Sequence, residues 1–398
     1  MGPVLRISGH GAPVITLSGL TSGQTEVLQS IVRSSDTGTG AASVPVLLWS
    51  PLRQEPGDCK SRDSPPDRRT ASGPSVGMVL TGTPDRLKHL AFLLRADKRL
   101  PPDLSGKFDS LLDNYLRSDY KIDCKGKVLD LGSHSHIMGV LNVTPDSFSD
   151  GGRYVDPRQA LAHAREMAAA GADIIDIGGE STRPGAQPLT EEEELRRILP
   201  LIERLSRELP VPLSVDTYKS AVAGKALTAG AAIVNDISGL RFSPDMAKVI
   251  ADHGAAVVIM HIKGTPRDMQ QDPVYGDVVS EIIDYLEGGL EIAEKAGVDR
   301  EKTLIDPGIG FGKTLGHNLA ILNRLDEFRA LGRPIVLGTS RKKFIGTVLD
   351  IPTPGQRAFG TASTVALGIE RGARVLRVHD VAHMAQVARM TDAILKTR

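Results

Sequence analysis

The residues with the most chemical potential in this chain are polar or charged, and each follows a short apolar run. In chain order they are Asn142, Asp176 with Glu180, Asp216, Asn235 with Asp236, His261, Asp306, the run Ser340-Arg341-Lys342, and Arg377 with His379. A carboxylate can accept two parallel hydrogen bonds from one edge of a flat heterocycle, and an asparagine offers both a donor and an acceptor. Such a set could hold a polar ring together with a charged group.

The candidate residues form two groups by chemistry. Carboxylate and amide groups suit the edge of a heterocycle, a lysine suits a ring carbonyl or nitrogen, and apolar or polarisable side chains suit the ring faces. This first group contains Asp216, Asn235, Asp306, Lys342, Met260 and Phe311. Arginine and histidine donors suit phosphate oxygens, and an amide oxygen could ligate Mg2+ beside them. This second group contains Asn142, Thr182, Arg183, Arg377 and His379.

Each of these residues, taken alone, has a structural alternative. Asp216 could cap the helix that follows it, Asn142 could satisfy its own turn, and Lys342 could be a solvated surface lysine. All eight predicted strands end in polar residues, which is harder to attribute to helix capping. A helix cap also gains nothing from a second charged residue such as Arg377 beside His379. We therefore interpret the set as one site.

The apolar runs that precede these residues predict eight strands, each covered on both faces. The predicted strands span residues 137–142, 173–178, 212–216, 231–236, 255–261, 302–307, 334–339 and 373–380, with amphipathic helical stretches between most of them. Eight βα repeats predict a closed (β/α)8 TIM barrel, in which all the polar ends converge on one face. An open doubly wound sheet is the alternative, but no G-x-G-x-x-G follows the first strand.

The chain divides near residue 120 into two predicted domains. Residues 1–118 contain short strand-like runs and a stretch with leucines on one helical face, which predicts a small α/β domain. Residues 51–75 are rich in proline, serine and charge, which indicates a long loop or a disordered insert. Residues 121–398 form the predicted barrel.

Composition excludes several classes of protein. The 398 residues carry 48 Lys plus Arg and 48 Asp plus Glu, so no bulk field would attract nucleic acid or a membrane surface. The two cysteines form neither a disulfide framework nor a metal cluster. No signal peptide and no apolar stretch of transmembrane length is evident, so we expect a cytoplasmic protein.

Seven motifs in the predicted barrel point to a known family. In order they read NVTPDSFSDGG, DIGGESTRPGA, SVDTYK, NDISG, DPGIGFGK, TSRKKFIG and RVHD, and they resemble those of dihydropteroate synthases of folate biosynthesis over about residues 121–398. The resemblance implies a TIM barrel that condenses 6-hydroxymethyl-7,8-dihydropterin diphosphate with p-aminobenzoate, releasing diphosphate. It also implies Mg2+, a homodimer and a sulfonamide target. Residues 78–118 more weakly resemble an N-terminal extension found on some members.

The resemblance implies a role for each matching position. The pterin pocket would be lined by Asp216, Asn235, Asp306 and Lys342, with Met260 and Phe311 flanking the ring. Mg2+ would be ligated by Asn142. Diphosphate and p-aminobenzoate would be surrounded by Thr182, Arg183, Arg377 and His379, and the p-aminobenzoate pocket would be shaped by Phe148, Pro184 and Ser340. Asp216, Lys342, Arg377 and His379 are the expected catalytic residues. One departure is Lys263, in MHIKGTP, where the family more often has glutamine; we expect little effect on the chemistry.

Three other functions are compatible with parts of the sequence. A pterin-binding methyltransferase domain would share the barrel and the pocket carboxylates, but SFSDGG, STRPG and RVHD would then have no anion to hold. A catalytically silent homologue would bind pterin without turnover. Residues 1–118 could serve oligomerisation or partner docking rather than catalysis.

Overall fold

A computed structural model describes residues 4–8, 14–20, 22–35, 46–48, 76–81, 84–100, 102–143, 157–182 and 186–397. The chain forms two compact units, residues 1–116 and 117–398. The predicted loop at 51–75 lies outside the described residues. So do the stretches that contain Phe148, Arg183 and Pro184.

The first unit is a small antiparallel sheet with three helices. Its elements are β1 (Val4–Ser8), β2 (Val14–Leu20), α1 (Ser22–Ser35), β3 (Val46–Leu48), β4 (Val76–Thr81), α2 (Pro84–Ala96) and α3 (Pro102–Leu116). The strands pair antiparallel in the order β1-β2-β4-β3. Leu87, Leu90 and Leu94 of α2 are buried, together with Leu28 of α1 and Phe108 of α3. The leucine spacing in α2 therefore marks its inward face.

The second unit begins with a hairpin and continues as a closed barrel. The hairpin strands are β5 (Lys121–Cys124) and β6 (Lys127–Asp130), and the barrel strands are β7 (His136–Asn142), β8 (Ile174–Gly178), β9 (Leu213–Asp216), β10 (Ile233–Asp236), β11 (Ala256–Met260), β12 (Thr303–Asp306), β13 (Ile335–Leu337) and β14 (Ala373–Val378). Strands β7 to β14 pair in parallel, and β14 pairs with β7 to close the barrel. The predicted (β/α)8 barrel is confirmed, and each predicted strand ends within two residues of the observed one.

Helices cover the outside of the barrel. They are α4 (Pro157–Ala169), α5 (Glu191–Glu208), α6 (Ser220–Thr228), α7 (Met246–Asp252), α8 (Val278–Lys295), α9 (Leu315–Asn323), α10 (Lys343–Leu349), α11 (Ala358–Glu370) and α12 (Val381–Leu395), with 3-10 helices at Arg300–Lys302, Leu325–Leu331 and Pro354–Gln356. Both α10 and α11 lie between β13 and β14. None of the helices in the described parts of the chain is long and apolar enough to cross a membrane.

The hairpin β5–β6 packs against the amino-terminal end of the barrel, a feature that the sequence did not predict. Ile122, Cys124 and Leu131 are buried in one cluster with Met138 of β7 and Val258 of β11. Two lysines of the hairpin, Lys125 and Lys127, donate to backbone carbonyl groups beside the barrel helices. Lys127 Nζ donates to the carbonyls that follow α5, at residues 209 (2.8 Å) and 211 (3.0 Å). The barrel is therefore closed at the end opposite to the predicted site.

We predict that Leu131→Ala destabilises the barrel by about 2–5 kcal/mol, because it removes a fully buried side chain from this cluster. The measurement is urea denaturation of the full-length protein. Val128, on the same hairpin but 63% exposed, supplies the control, since Val128→Ala should change the free energy of unfolding by less than about 0.5 kcal/mol. Equal effects of the two substitutions would show that the hairpin does not contribute to the barrel core.

Candidate active site

The carboxyl ends of the barrel strands bring the predicted residues to one face. In the strand register, Asn142 lies opposite Gly178, Gly178 opposite Asp216, and Asp216 opposite Asn235. Met260 likewise lies opposite Asp306. Parallel strands end at the same edge of a sheet, so residues far apart in sequence become neighbours there.

Arg377, on β14, is the electrostatic centre of this face. Its Nε donates to Asp176 Oδ2 at 2.6 Å, and its Nη2 donates to Asp216 Oδ2 at 2.6 Å. Burial lowers the pKa of Arg377, but the two carboxylates outweigh that effect and raise it above the usual value. The two bonds use Nε and Nη2, which leaves Nη1 for a ligand.

The two carboxylates that bind Arg377 keep one oxygen each for another partner. Oδ1 of Asp176 and Oδ1 of Asp216 are buried and have no hydrogen-bond partner among the described residues. Asp176 Oδ2 also accepts from Asn235 Nδ2 at 3.1 Å, which fixes the orientation of that amide. A buried acceptor without a partner is costly, so both Oδ1 atoms are suited to donors on a bound ligand.

Burial also sets the protonation of Asp216. It raises the pKa of the carboxyl to about 7; the Arg377 guanidinium opposes that rise and the Asp176 carboxylate adds to it. Asp216 does not cap the helix that follows, because the N-cap of α6 is Lys219. A carboxylate with such a pKa beside an unfilled hydrogen-bonding position is typical of a functional site.

A second cluster forms where the loop after β12 meets Lys342. Lys342 Nζ donates to the carbonyl oxygen of Ile309 and lies 4.6 Å from the centre of the Phe311 ring. Asp306 is buried, and its Oδ1 accepts from the backbone N–H of Gly308 at 2.7 Å. Burial lowers the pKa of Lys342 to about 8, whereas the Asp306 carboxylate opposes the decrease.

The glycine at 308 allows this loop to pass close to β11. Its φ is 67°, and a Cβ there would collide with the carbonyl oxygen of His261. Glycine alone adopts this conformation readily and leaves room for the neighbouring backbone. The loop can therefore place Phe311 and the carbonyl of Ile309 around Lys342.

Lys313, which no motif in the sequence marks as a site residue, is a buried anchor beneath this loop. Its Nζ lies 2.8 Å from His261 Nδ1 and donates to the carbonyl oxygen of Phe311 at 2.9 Å. Burial lowers the pKa of Lys313 well below its usual value, and burial together with Lys313 lowers the pKa of His261 to about 2. The sequence indicates His261 only as a strand end, and the GFGK run carries no signal that its lysine turns inward.

Ser340 and His379 form a third part of the site. Ser340 is buried, and its Oγ accepts from the backbone N–H of His379 at 3.1 Å and lies 3.1 Å from His379 Nδ1. Thr182 is half-buried after β8.

Lys263 lies at the rim of the site, where its Nζ donates to the carbonyl oxygen of Val274 and is 3.7 Å from Glu281. The charge of Lys263 is therefore partly balanced by Glu281 at the rim.

Asn142 and Asp216 flank a small space above Gly178. A Cβ built on Gly178 would lie 3.6 Å from Asn142 Oδ1 and 3.7 Å from Asp216 Oδ2. Asp216 Oδ2 is already bonded to Arg377, so the amide oxygen of Asn142 is the ligand offered here. Mg2+ typically takes one or two protein oxygens and completes its shell with water and phosphate. The residues present thus fit such an ion.

The sequence motifs predict a pterin beside Lys342, so we expect Lys342→Met to raise the dissociation constant for a pterin at least tenfold, because it removes a donor and a charge. Lys342 is protonated below its pKa of about 8, so any binding that needs its charge should weaken as the pH rises from 7 to 9. Lys342→Arg keeps its charge throughout that range and is the matched control. Pterin titrations by calorimetry at three pH values would test this; the same pH dependence in wild type and Lys342→Met would contradict it.

The fold and the site define a (β/α)8 barrel with carboxylates and cationic side chains gathered at the carboxyl ends of its strands. A family profile described as pterin binding enzyme matches residues 138–379 of the chain. The chain therefore belongs to the family of pterin-binding enzymes.

Within this family the similarity is to dihydropteroate synthases. The Bacillus subtilis (strain 168) dihydropteroate synthase is 50% identical over 274 residues, which cover 69% of this chain and 93% of the relative. The Xanthomonas albilineans enzyme with 4-aminobenzoic acid is 44% identical with a TM-score of 0.66, covering 70% of this chain and 98% of that one. Its complex with 7,8-dihydropteroate gives 40% identity, a TM-score of 0.63, and coverage of 69% and 98%.

Proposed function

We infer that this protein is a dihydropteroate synthase, a transferase that joins 6-hydroxymethyl-7,8-dihydropterin diphosphate to p-aminobenzoate. The C–O bond between the pterin methylene and diphosphate breaks, a C–N bond to the arylamine forms, and the amine loses a proton. The observation that carries the inference is one face on which the carboxylates of Asp176, Asp216 and Asp306 lie beside the cationic side chains of Lys342 and Arg377.

The pterin pocket is proposed to be formed by Asp216, Asn235, Asp306 and Lys342, with Met260 and Phe311 on the ring faces. The free Oδ1 atoms of Asp176 and Asp216 support this arrangement, because ring N–H and amino groups are the donors they lack. Asp216 would also stabilise the positive charge that develops on the pterin methylene as the C–O bond breaks.

The anion part of the site is proposed to be Arg377 and His379, together with Thr182 and Arg183. Arg377 supports this through Nη1, which neither carboxylate uses. His379 lies on Ser340, which with Phe148 and Pro184 would shape the p-aminobenzoate pocket. Mg2+, held through Asn142, would neutralise charge on the departing diphosphate.

Diphosphate release by the purified protein, with the pterin diphosphate and Mg2+ and with or without p-aminobenzoate, tests the function. Release that requires p-aminobenzoate and yields 7,8-dihydropteroate is expected. Pterin binding without release would instead favour the silent homologue or the methyltransferase-type domain. Chelation and return of Mg2+ in the same assay tests the proposed metal, because loss and recovery of release is the expected pattern.

A homodimer is proposed through the face formed by α10 and the start of α11. Val348, Leu349 and Phe359 are 55%, 46% and 89% exposed there, and exposed apolar clusters commonly mark protein contacts. Leu349 lies beside Gly360, so α10 and the start of α11 present these side chains together.

We predict that Phe359→Glu converts a dimer to a monomer, because it places a charge at the centre of a desolvated contact. Light scattering after size-exclusion chromatography gives the mass directly. Phe92→Glu, at a 66% exposed phenylalanine in the first unit, is the control and should leave the mass unchanged. A monomeric wild type, or a dimeric Phe359→Glu variant, would refute this interface.

A further inference from the structure

A histidine pair and an aspartate lie together at the amino-terminal end of the barrel, away from the strand ends that carry the active site. His136 is the first residue of β7, His134 lies two residues before it, and Asp173 directly precedes β8. One ligand atom from each of the three residues lies within 4.8 Å of the others. We propose that His134, His136 and Asp173 bind a divalent transition-metal ion of the Zn2+ class.

Both imidazoles have one nitrogen engaged by a neighbouring oxygen, which selects the other for a metal. His136 Nδ1 lies 3.0 Å from the carbonyl oxygen of His134, and His134 Nδ1 lies 2.8 Å from Ser133 Oγ. A metal-binding histidine usually donates its second N–H to such an oxygen, which fixes the ring and its tautomer. The Nε2 atoms are then the ligands.

The aspartate is oriented in the same way. Asp173 Oδ2 accepts from the backbone N–H of Ile137 at 2.8 Å, and the Asp173 N–H donates to the carbonyl oxygen of Ile137. Its other oxygen, Oδ1, lies 3.8 Å from His134 Nε2. The carboxylate is thus held between the starts of β7 and β8 with Oδ1 directed at the histidine pair.

The group must contract slightly to bind an ion. Zn2+ takes nitrogen and oxygen ligands at about 2.0–2.2 Å, so its ligand atoms are about 3.3 Å apart in tetrahedral geometry. The rings of His134 and His136 are stacked with centroids 4.2 Å apart, and an ion would require one ring to turn out of the stack. His136 is buried, whereas His134 is half-exposed, so His134 is the ring that can turn. Solvent would supply the fourth ligand.

Two imidazoles and one carboxylate match a borderline metal rather than Mg2+, which prefers oxygen ligands. An ion here would link the start of β7, which follows the hairpin, to the start of β8. We therefore expect a structural ion that raises the stability of the barrel and leaves turnover unchanged.

Zn2+ titration of the full-length, chelator-treated protein in excess Mg2+ tests the proposal. Calorimetry should show one site in the wild type that weakens at least thirtyfold in both His134→Gln and Asp173→Asn. His163→Gln removes a histidine that lies 3.6 Å from Glu166 on α4 and is the matched control; it should bind as wild type does. Dihydropteroate formation should stay at the wild-type rate in His134→Gln, which separates this site from the catalytic one.

The melting temperature supplies a second readout. Because an ion that binds only the folded protein stabilises it, Zn2+ should raise the melting temperature of the wild type and of His163→Gln but not of His134→Gln. Equal Zn2+ affinity in wild type and His134→Gln would overturn the proposal, and so would an equal rise in melting temperature. Failure of this test would leave the diphosphate-release assay unaffected.

Discussion

Asp216→Asn is expected to lower the turnover number at least a hundredfold while the barrel stays folded. The substitution keeps the shape of the side chain but removes the negative charge that is proposed to face the cationic pterin methylene. Removing one preorganised electrostatic contact from an active site typically costs about 10²–10³ in rate. Steady-state kinetics and circular dichroism on the same preparation measure both quantities. A turnover number within about threefold of the wild type would show that the charge is not used.

The pKa of Asp216 adds a pH signature to this experiment. Because the pKa is raised to about 7, the wild type should lose activity as the pH falls below 7 and the carboxylate takes up a proton. The stability effect has the opposite direction. A carboxyl with a raised pKa favours the folded protein below its unfolded value near 3.8, and this contribution is lost as the pH rises toward 7. Asp216→Asn should show neither the loss of activity below pH 7 nor the loss of stability as the pH rises toward 7. If the variant still loses activity below pH 7, another group titrates there.

Arg377→Ala is expected to lower the free energy of unfolding by about 3–5 kcal/mol, because it leaves Asp176 and Asp216 buried without their countercharge. Urea denaturation measures this loss. Arg165, half-exposed and paired with Glu208, is the control, since Arg165→Ala should cost no more than about 1 kcal/mol. Adding Asp176→Asn to Arg377→Ala should restore part of the stability by removing one unpaired charge. No recovery would show that charge is not the cause.

Arg377→Ala should also separate the two ligands. We expect the pterin diphosphate to lose far more affinity than the bare pterin, because only the former presents oxygens to Nη1. Calorimetric titrations with both ligands, at a temperature where the variant is folded, give the comparison. Equal losses would mean that Arg377 acts on binding only by holding Asp176 and Asp216 in place.

The barrel could be predicted because its strands are buried on both faces. That burial requires nearly continuous apolar runs, and their ends are visible as the first polar residue. The hairpin β5–β6 could not be predicted in this way. Exposed and buried positions alternate in the four-residue strand β5, and partners in the buried cluster such as Val258 and Val336 are distant in sequence. A short run with weak alternation has no distinctive signal until the surface that it covers exists.

The sequence by itself determined the barrel, the polar residue at each strand end and the motifs that identify the family. Only the tertiary structure decided which of these groups bind each other. Arg377 lies 201 residues from Asp176 and 161 from Asp216, yet it bonds to both. Lys313 turns inward to His261 across 52 residues instead of facing solvent. The Arg377 pairs depend on barrel closure, which brings β14 against β7. The Lys313 pair depends on the parallel pairing of β11 with β12, which places the end of β11 beneath the loop after β12.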